Sequence, residues 1–196
     1  MDERGDCIRV VHPLFQVEGS GSTPTSPLQL HVGDIDMRRG QRLNELWHSL
    51  LPDTHLKNLN GGFHSVCYAA EFEGKFYAVA MWSDPIAGNR MKDAKRAIEL
   101  RRFAIAPDAP KNTASRMLRI MVSLIGKRWP EITRFISYQA CDVHAGTIYK
   151  AAGWKPVAQS KVMRWHADEY RPEHQTTSPK VRWELDKKPN AEITGG

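Results

Sequence analysis

Three cysteines in 196 residues, Cys7, Cys67 and Cys141, are too few and too widely spaced for a disulfide framework. Their odd number and spacing equally exclude a thiolate zinc site, so reduced thiols are expected. No apolar run approaches the length that a bilayer-spanning helix requires, which removes the membrane from the expected partners. The amino-terminal stretch MDERGDCIRV is charged and has no apolar core followed by small residues, so no secretory signal is read there and a cytoplasmic location is expected. Internal repeats are absent. Hydrophobic residues at 41% and charged residues at 26% are ordinary for a soluble globular chain, and the length suits one hydrophobic core.

What is present is a basic excess. Lysine and arginine number 28 against 22 acidic residues, a net charge of +6. The bases recur in 37–42, 89–102 and 111–128. A polyanionic partner fits this distribution, and so does a basic enzyme that never meets nucleic acid.

Residues 18–27, EGSGSTPTSP, consist almost wholly of turn formers, so 1–27 reads as an outlying arm and flexible linker. One domain is expected over 28–186, with a frayed tail over 187–196. The alternation in Leu28–Val32 predicts a strand, and Leu43, Leu46, Trp47 and Leu50 predict a helix over 38–50 that Pro52 ends. Val66–Phe72 and Phe76–Trp82 around a Glu-Gly-Lys turn predict a hairpin. A loop or short helix over 83–96 leads to a strand at Ile98–Ile105. The clearest helix follows, capped by Asn112 or Thr113, with Ala114, Met117, Leu118, Met121, Leu124 and Ile125 on one face, stopped by Trp129 and Pro130. A strand at Arg134–Tyr138, a helix at Ala145–Ala152 closed by Gly153, and strands at Lys155–Trp165 and Lys180–Leu185 complete an α/β (α+β) pattern, a mixed sheet with helices on both faces.

The segment Asp142-Val-His-Ala-Gly-Thr-Ile-Tyr-Lys-Ala-Ala-Gly-Trp154 resembles the hallmark of the GNAT acetyltransferase-like superfamily, a tyrosine-bearing helix closed by Gly and an aromatic. The resemblance implies a GNAT-like mixed central sheet and makes Tyr149 the acid that protonates a leaving group; the plain alternative is an amphipathic helix with a half-buried tyrosine. Conventional members also carry a glycine-rich loop whose N–H groups hold the pyrophosphate of coenzyme A at a helix start. The matching segment here, Pro107-Asp-Ala-Pro-Lys-Asn-Thr-Ala-Ser115, has two prolines and no glycine, which argues against acetyl-coenzyme A.

The linked motifs LRRFAIAPDAPKNTASRML, ISYQ and HAGTIYKAAGW, with the upstream Trp47-His-Ser-Leu-Leu-Pro52, resemble the Mom-type DNA adenine-modifying proteins of bacteriophages, a divergent GNAT-like group. The resemblance implies a transferase that converts the N6 amine of adenine to a carbamoylmethyl (acetamido)-type group, shielding phage DNA from restriction in the cytoplasm of a bacterial host cell. It implies double-stranded DNA as partner and His48, Ser115 and Tyr149 as site residues. The family commonly has an aspartate soon after its Ser-Tyr pair, whereas this chain reads Ser137-Tyr-Gln-Ala-Cys-Asp142. Asp142 then fills that role at a shifted spacing, or the role is lost.

The chemistry agrees with these residue types. Adenine N6 is a poor nucleophile, because its lone pair is delocalised into the ring, so a neutral imidazole such as His48 must take a proton. Ser115, at a helix start, is suited to orient an anion or carbonyl oxygen. A base stacked in a duplex must be flipped out, which makes Trp47, Tyr138 and Trp82 candidate stacking platforms, though each also fits an ordinary core aromatic. Arg101, Arg102, Lys111, Asn112, Arg116 and Arg119 lie around the helix start, where they would contact phosphates or simply face water, and His144, ahead of the tyrosine-bearing helix, is a further candidate for DNA contact that also fits a helix cap. His12, His48, His64, His144 and Asp142 supply iron-ligand types without close spacing, so no metal site is assigned. Nothing specifies the group donor or the oligomeric state. Two rivals stand beside this reading: an acyl-coenzyme A dependent N-acetyltransferase acting on a small amine or protein, and a noncatalytic nucleic-acid-binding module of the same fold.

Overall fold

In the computed structural model, residues 22–48, 59, 62–86, 95–160 and 179–187 are described. Their strands form one seven-stranded sheet in the order β1-β2-β3-β4-β5-β7-β6. The strands are β1 (His31–Ile35), β2 (Ser65–Phe72), β3 (Lys75–Ser83), β4 (Ala97–Ile105), β5 (Arg134–Ala140), β6 (Lys155–Gln159) and β7 (Lys180–Asp186). The helices are α1 (Met37–Trp47), α2 (Thr113–Arg128) and α3 (Thr147–Ala151). Every neighbouring pair is antiparallel except β4 and β5, which run parallel and are joined through α2.

The strand period of two distributes side chains between two cores. Cys67, Ala69, Val79 and Met81 meet Leu43 of α1 on one face. Tyr68, Ala80, Trp82 and Phe135 meet Met117, Leu118, Met121 and Ile125 of α2 on the other. Each fully buried side chain of α2 contributes about 1.5–3 kcal/mol relative to exposure. The expectation of helices on both faces of a mixed sheet holds.

Several boundaries differ from those expected. Ser26 and Gln29 form a reciprocal capping box with Pro27 at the first helical position, so Pro27–Gln29 is a 3-10 turn and the strand begins only at His31. Helix α1 ends at Trp47, because His48 already adopts an extended conformation; Leu50 and Pro52 lie outside the described residues. Its buried residues are Gly40, Leu43 and Asn44, and Leu46 is 54% exposed. Gly40 sets that phase: a Cβ there would collide with Cys67 Sγ, so the helix can lie this close only with glycine facing the sheet. The hairpin turn is Glu73-Gly74, both at positive φ, as a two-residue turn requires.

At the start of α2, Asn112 is left-handed and its side chain makes no cap; the Thr113 hydroxyl instead donates to Pro110 O at 2.7 Å. Helix α3 is shorter than expected, since left-handed Gly146 delays its start to Thr147. Strand β6 ends at Gln159, and residue 165 lies outside the described set, as do residues 1–21 of the amino-terminal arm, most of the 83–96 loop and the end of the tail.

Candidate active site at the parting of two strands

Strand β4 carries one extra residue opposite β3. Trp82 faces Leu100 and Met81 faces Arg102, so Arg101 is the bulged position. The β4–β5 register ends at Leu100 opposite Ser137, while both strands continue to Ile105 and Ala140. Beyond that point the strands no longer pair with each other, and Arg101, Arg102 and Ser137, with Tyr149 bonded to the last, stand at this opening.

On the α1 face, Arg101 reaches Glu99 at 3.4 Å and Ser83 Oγ at 3.4 Å. Arg102 donates to the Arg101 carbonyl at 2.8 Å, and its buried Nε makes no hydrogen bond among the described residues. Burial lowers the pKa of both guanidinium groups, although arginine stays cationic in proteins. His48, at the carboxyl end of α1, is pushed down to about 4 by burial first, then by the charges of Arg102 and His144. It is therefore a neutral imidazole at physiological pH. Trp47 beside it is half-buried against the α1-side core. Tyr138 is half-buried as well, and strand alternation turns it away from the Ser137 face.

On the opposite face, Tyr149 of α3 is buried. Its hydroxyl is 2.8 Å from Ser137 Oγ, its ring stacks on Trp183 at 5.3 Å and 14°, and Trp154 meets it edge-on at 5.8 Å. Burial raises the phenol's pKa and the Ser137 bond opposes that only in part, so the phenol keeps its proton. Tyr149 is thus not the half-buried residue of the plain helix alternative. The 140–146 turn meets this cluster through its backbone, where the His144 carbonyl accepts from the Gln139 side chain.

The other expected residues are placed less centrally. Ser115 donates to Asn112 O at 3.2 Å in the first turn of α2. Asp142 and His144 lie exposed in the turn, and Lys111 and Asn112 are exposed before α2. Arg116 donates to Leu30 O at 3.0 Å and Arg119 to Ala151 O at 2.5 Å, so both guanidinium groups brace neighbouring backbone. Trp82 is fully buried and donates to Met121 Sδ at 3.2 Å, which makes it a core residue and no stacking platform. Sequence reasoning missed Ser137, Gln139 and Trp183. The inward alternation of β5 points to Ser137 and Gln139, but no local pattern signals that Trp183 returns beside them.

Among the described residues no group of three His, Cys, Asp or Glu side chains is placed to hold a metal ion. No described helix is long and apolar enough to cross a membrane. The turn before α2 departs from a glycine-rich pyrophosphate loop. Pro107 and Pro110 supply no N–H, the Thr113 N–H points back to Pro110 O, and no glycine permits close approach.

A sequence profile of the Mom protein family matches residues 32–193. The chain belongs to the Mom protein family. No curated protein sequence matches it. Among solved structures it is similar to the ribosomal-protein-S18-alanine N-acetyltransferase from Escherichia coli, with a TM-score of 0.58 at 13% identity over 85% of this chain and 99% of that one. It is similar to a Bacillus subtilis acetyltransferase in complex with CoA, with a TM-score of 0.57 at 13% identity over 80% and 98% of the two chains. A GNAT family acetyltransferase from Elizabethkingia anophelis with acetyl-CoA bound gives a TM-score of 0.54 at 10% identity over 81% and 98%. At these identities the likeness establishes the fold alone: this Mom family member has the fold of the acetyltransferases it is similar to.

Proposed function

We propose that this Mom family member is a DNA base-modifying transferase that converts the N6 amine of adenine to a carbamoylmethyl-type group and so protects phage DNA from restriction. The observation that supports this reading is the His48 imidazole kept neutral by burial first and then by the charges of Arg102 and His144, in a Mom family member whose turn before α2 has no glycine. A protonated histidine could not accept a proton from N6, and this one stays unprotonated.

In the proposed reaction the N6 lone pair attacks a donor carbon, an N–C bond forms and the N6 proton passes to His48. The bond from that carbon to the donor's leaving group breaks with its electron pair, and Tyr149 supplies the proton through its contact with Ser137. The buried Arg101 and Arg102 guanidinium groups stabilise negative charge on the donor. Duplex DNA lies outside the opening between β4 and β5. Arg38 and Arg42, exposed one turn apart on α1, are suited to phosphate contacts that precede base flipping, with Trp47 and Tyr138 beside the extruded base.

The likeness to acetyltransferases favours one second reading, acyl transfer from coenzyme A to another amine. Mass spectrometry of nucleosides from plasmid DNA separates the two. A heavier deoxyadenosine in cells expressing the wild type and absent with Tyr149→Phe is the expected result. Unmodified DNA from soluble, folded protein, with radiolabel from acetyl-coenzyme A appearing on another amine, would replace this reading with the second.

A further inference from the structure

Gln139 is a buried amide whose two ends bond in opposite directions. Its Oε1 accepts from Trp183 Nε1 at 2.7 Å, and its Nε2 donates to the His144 carbonyl. No other orientation of the amide serves both partners, because an indole N–H only donates and a carbonyl only accepts. Trp183 in turn stacks on Tyr149. The close approach of the turn depends on Gly146: at φ +70° it adopts a left-handed conformation, and a Cβ there would collide with both the Trp183 indole and Gln139 Oε1.

We propose that Gln139 is a positioning residue that couples the Tyr149–Trp183 stack to the 140–146 turn, fixing both from one side chain. The assignment to catalysis rests on the adenine-modification reading above; the coupling itself does not. The requirement is for an amide specifically. A carboxylate at this position accepts from Trp183 equally well but turns a lone pair toward the His144 carbonyl, so it keeps one tie and breaks the other. Protonation of that carboxyl restores a donor. A hydrophobic residue breaks both ties and leaves the indole N–H buried without a partner.

The test uses the full chain with Gln139→Glu, Gln139→Leu and Trp183→Phe. Trp183→Phe identifies the Trp183 indole N–H resonance among those of the six tryptophans. In Gln139→Glu, at pH values where the new carboxyl is ionised, that resonance is expected to stay, while the backbone amide resonances of residues 145 and 146, which follow the His144 carbonyl, shift; they return toward wild-type positions as the carboxyl protonates. DNA modification is expected to fall by roughly 10- to 100-fold where the carboxyl is ionised, the scale of loss from a misplacement of about 1 Å. Gln139→Leu is expected to move the indole and the turn signals at every pH. Wild-type turn resonances and modification in Gln139→Glu at pH values where the carboxyl is ionised would overturn the proposal, and they can be read even where Gln139→Leu fails to fold. Wild-type protein that modifies no DNA, yet shows the pH-reversible turn shifts in Gln139→Glu, would leave the coupling standing and overturn only the adenine reading.

Discussion

The hydroxyl of Tyr149 lies 2.8 Å from Ser137 Oγ, inside a box closed by Trp183 and Trp154. The pair joins α3 to the last residue of β5 that still pairs with β4. Because burial raises the phenol's pKa, the tyrosine arrives as an acid with its proton in place. Tyr149→Phe keeps the ring stack and leaves Ser137 Oγ buried without that partner. It is expected to cost about 1–3 kcal/mol in urea unfolding and to abolish the modified nucleoside. Ser137→Ala is expected to retain the fold with reduced modification. Full activity in both variants would remove the pair from the mechanism.

The titration of His48 links the site to pH. Its pKa is about 4 in the folded chain against 6.5 for an unperturbed histidine, so between those values the unfolded chain binds the extra proton. Stability contributed by this group is therefore lost as pH falls from 6.5 toward 4, and is level below that range. His48→Gln removes the linkage. The difference in unfolding free energy between variant and wild type is expected to move in favour of the variant across that window, as read by denaturant titrations at a series of pH values. On the same grounds, the acid limb of the modification rate falls near pH 4. A limb near the unperturbed 6.5 would show that His48 is not held neutral.

The layout of the sheet can be read from period-two alternation, the hairpin turn and the apolar face of α2, because those signals are local. The site is only partly legible. His48, Arg102, Tyr149 and His144 stand out in the sequence, yet the arrangement that places His48 and Tyr149 on opposite faces depends on the bulge at Arg101 and on long-range β5–β7 pairing. Arg116 and Arg119 are indistinguishable in sequence from solvent-facing bases, and only tertiary structure reveals the carbonyls they serve. Gln139 stands in a motif where a carboxylate is expected. Its role depends on Trp183, 44 residues further along the chain.

DNA contact through α1 has a salt signature. Arg38 and Arg42 are exposed, and neither forms an ion pair among the described residues. Each phosphate neutralised contributes about 0.9 to the slope of log affinity against log salt. The double variant Arg38→Ala with Arg42→Ala is expected to flatten that slope by about 2 in duplex binding measured by fluorescence anisotropy, taking two phosphate contacts. An unchanged slope would remove α1 from the DNA interface while leaving the opening between β4 and β5 untouched.

Gly146 offers the sharpest separation of packing from chemistry. Its left-handed backbone disfavours any L side chain, and a Cβ would meet the Trp183 indole and Gln139 together. Gly146→Ala must therefore displace the turn or the tryptophan, at a cost of about 1–3 kcal/mol for the strain alone. Gly153, also left-handed, has nothing within 4 Å of the point where a Cβ would stand. Gly153→Ala carries a similar backbone strain without the collision. If the turn's packing against Trp183 governs the site, Gly146→Ala loses modification at temperatures where it remains folded by circular dichroism, while Gly153→Ala loses thermal stability but keeps activity below its melting point. Equal loss of activity from the two, tracking only their melting temperatures, would show that the contact matters for stability and not for the reaction.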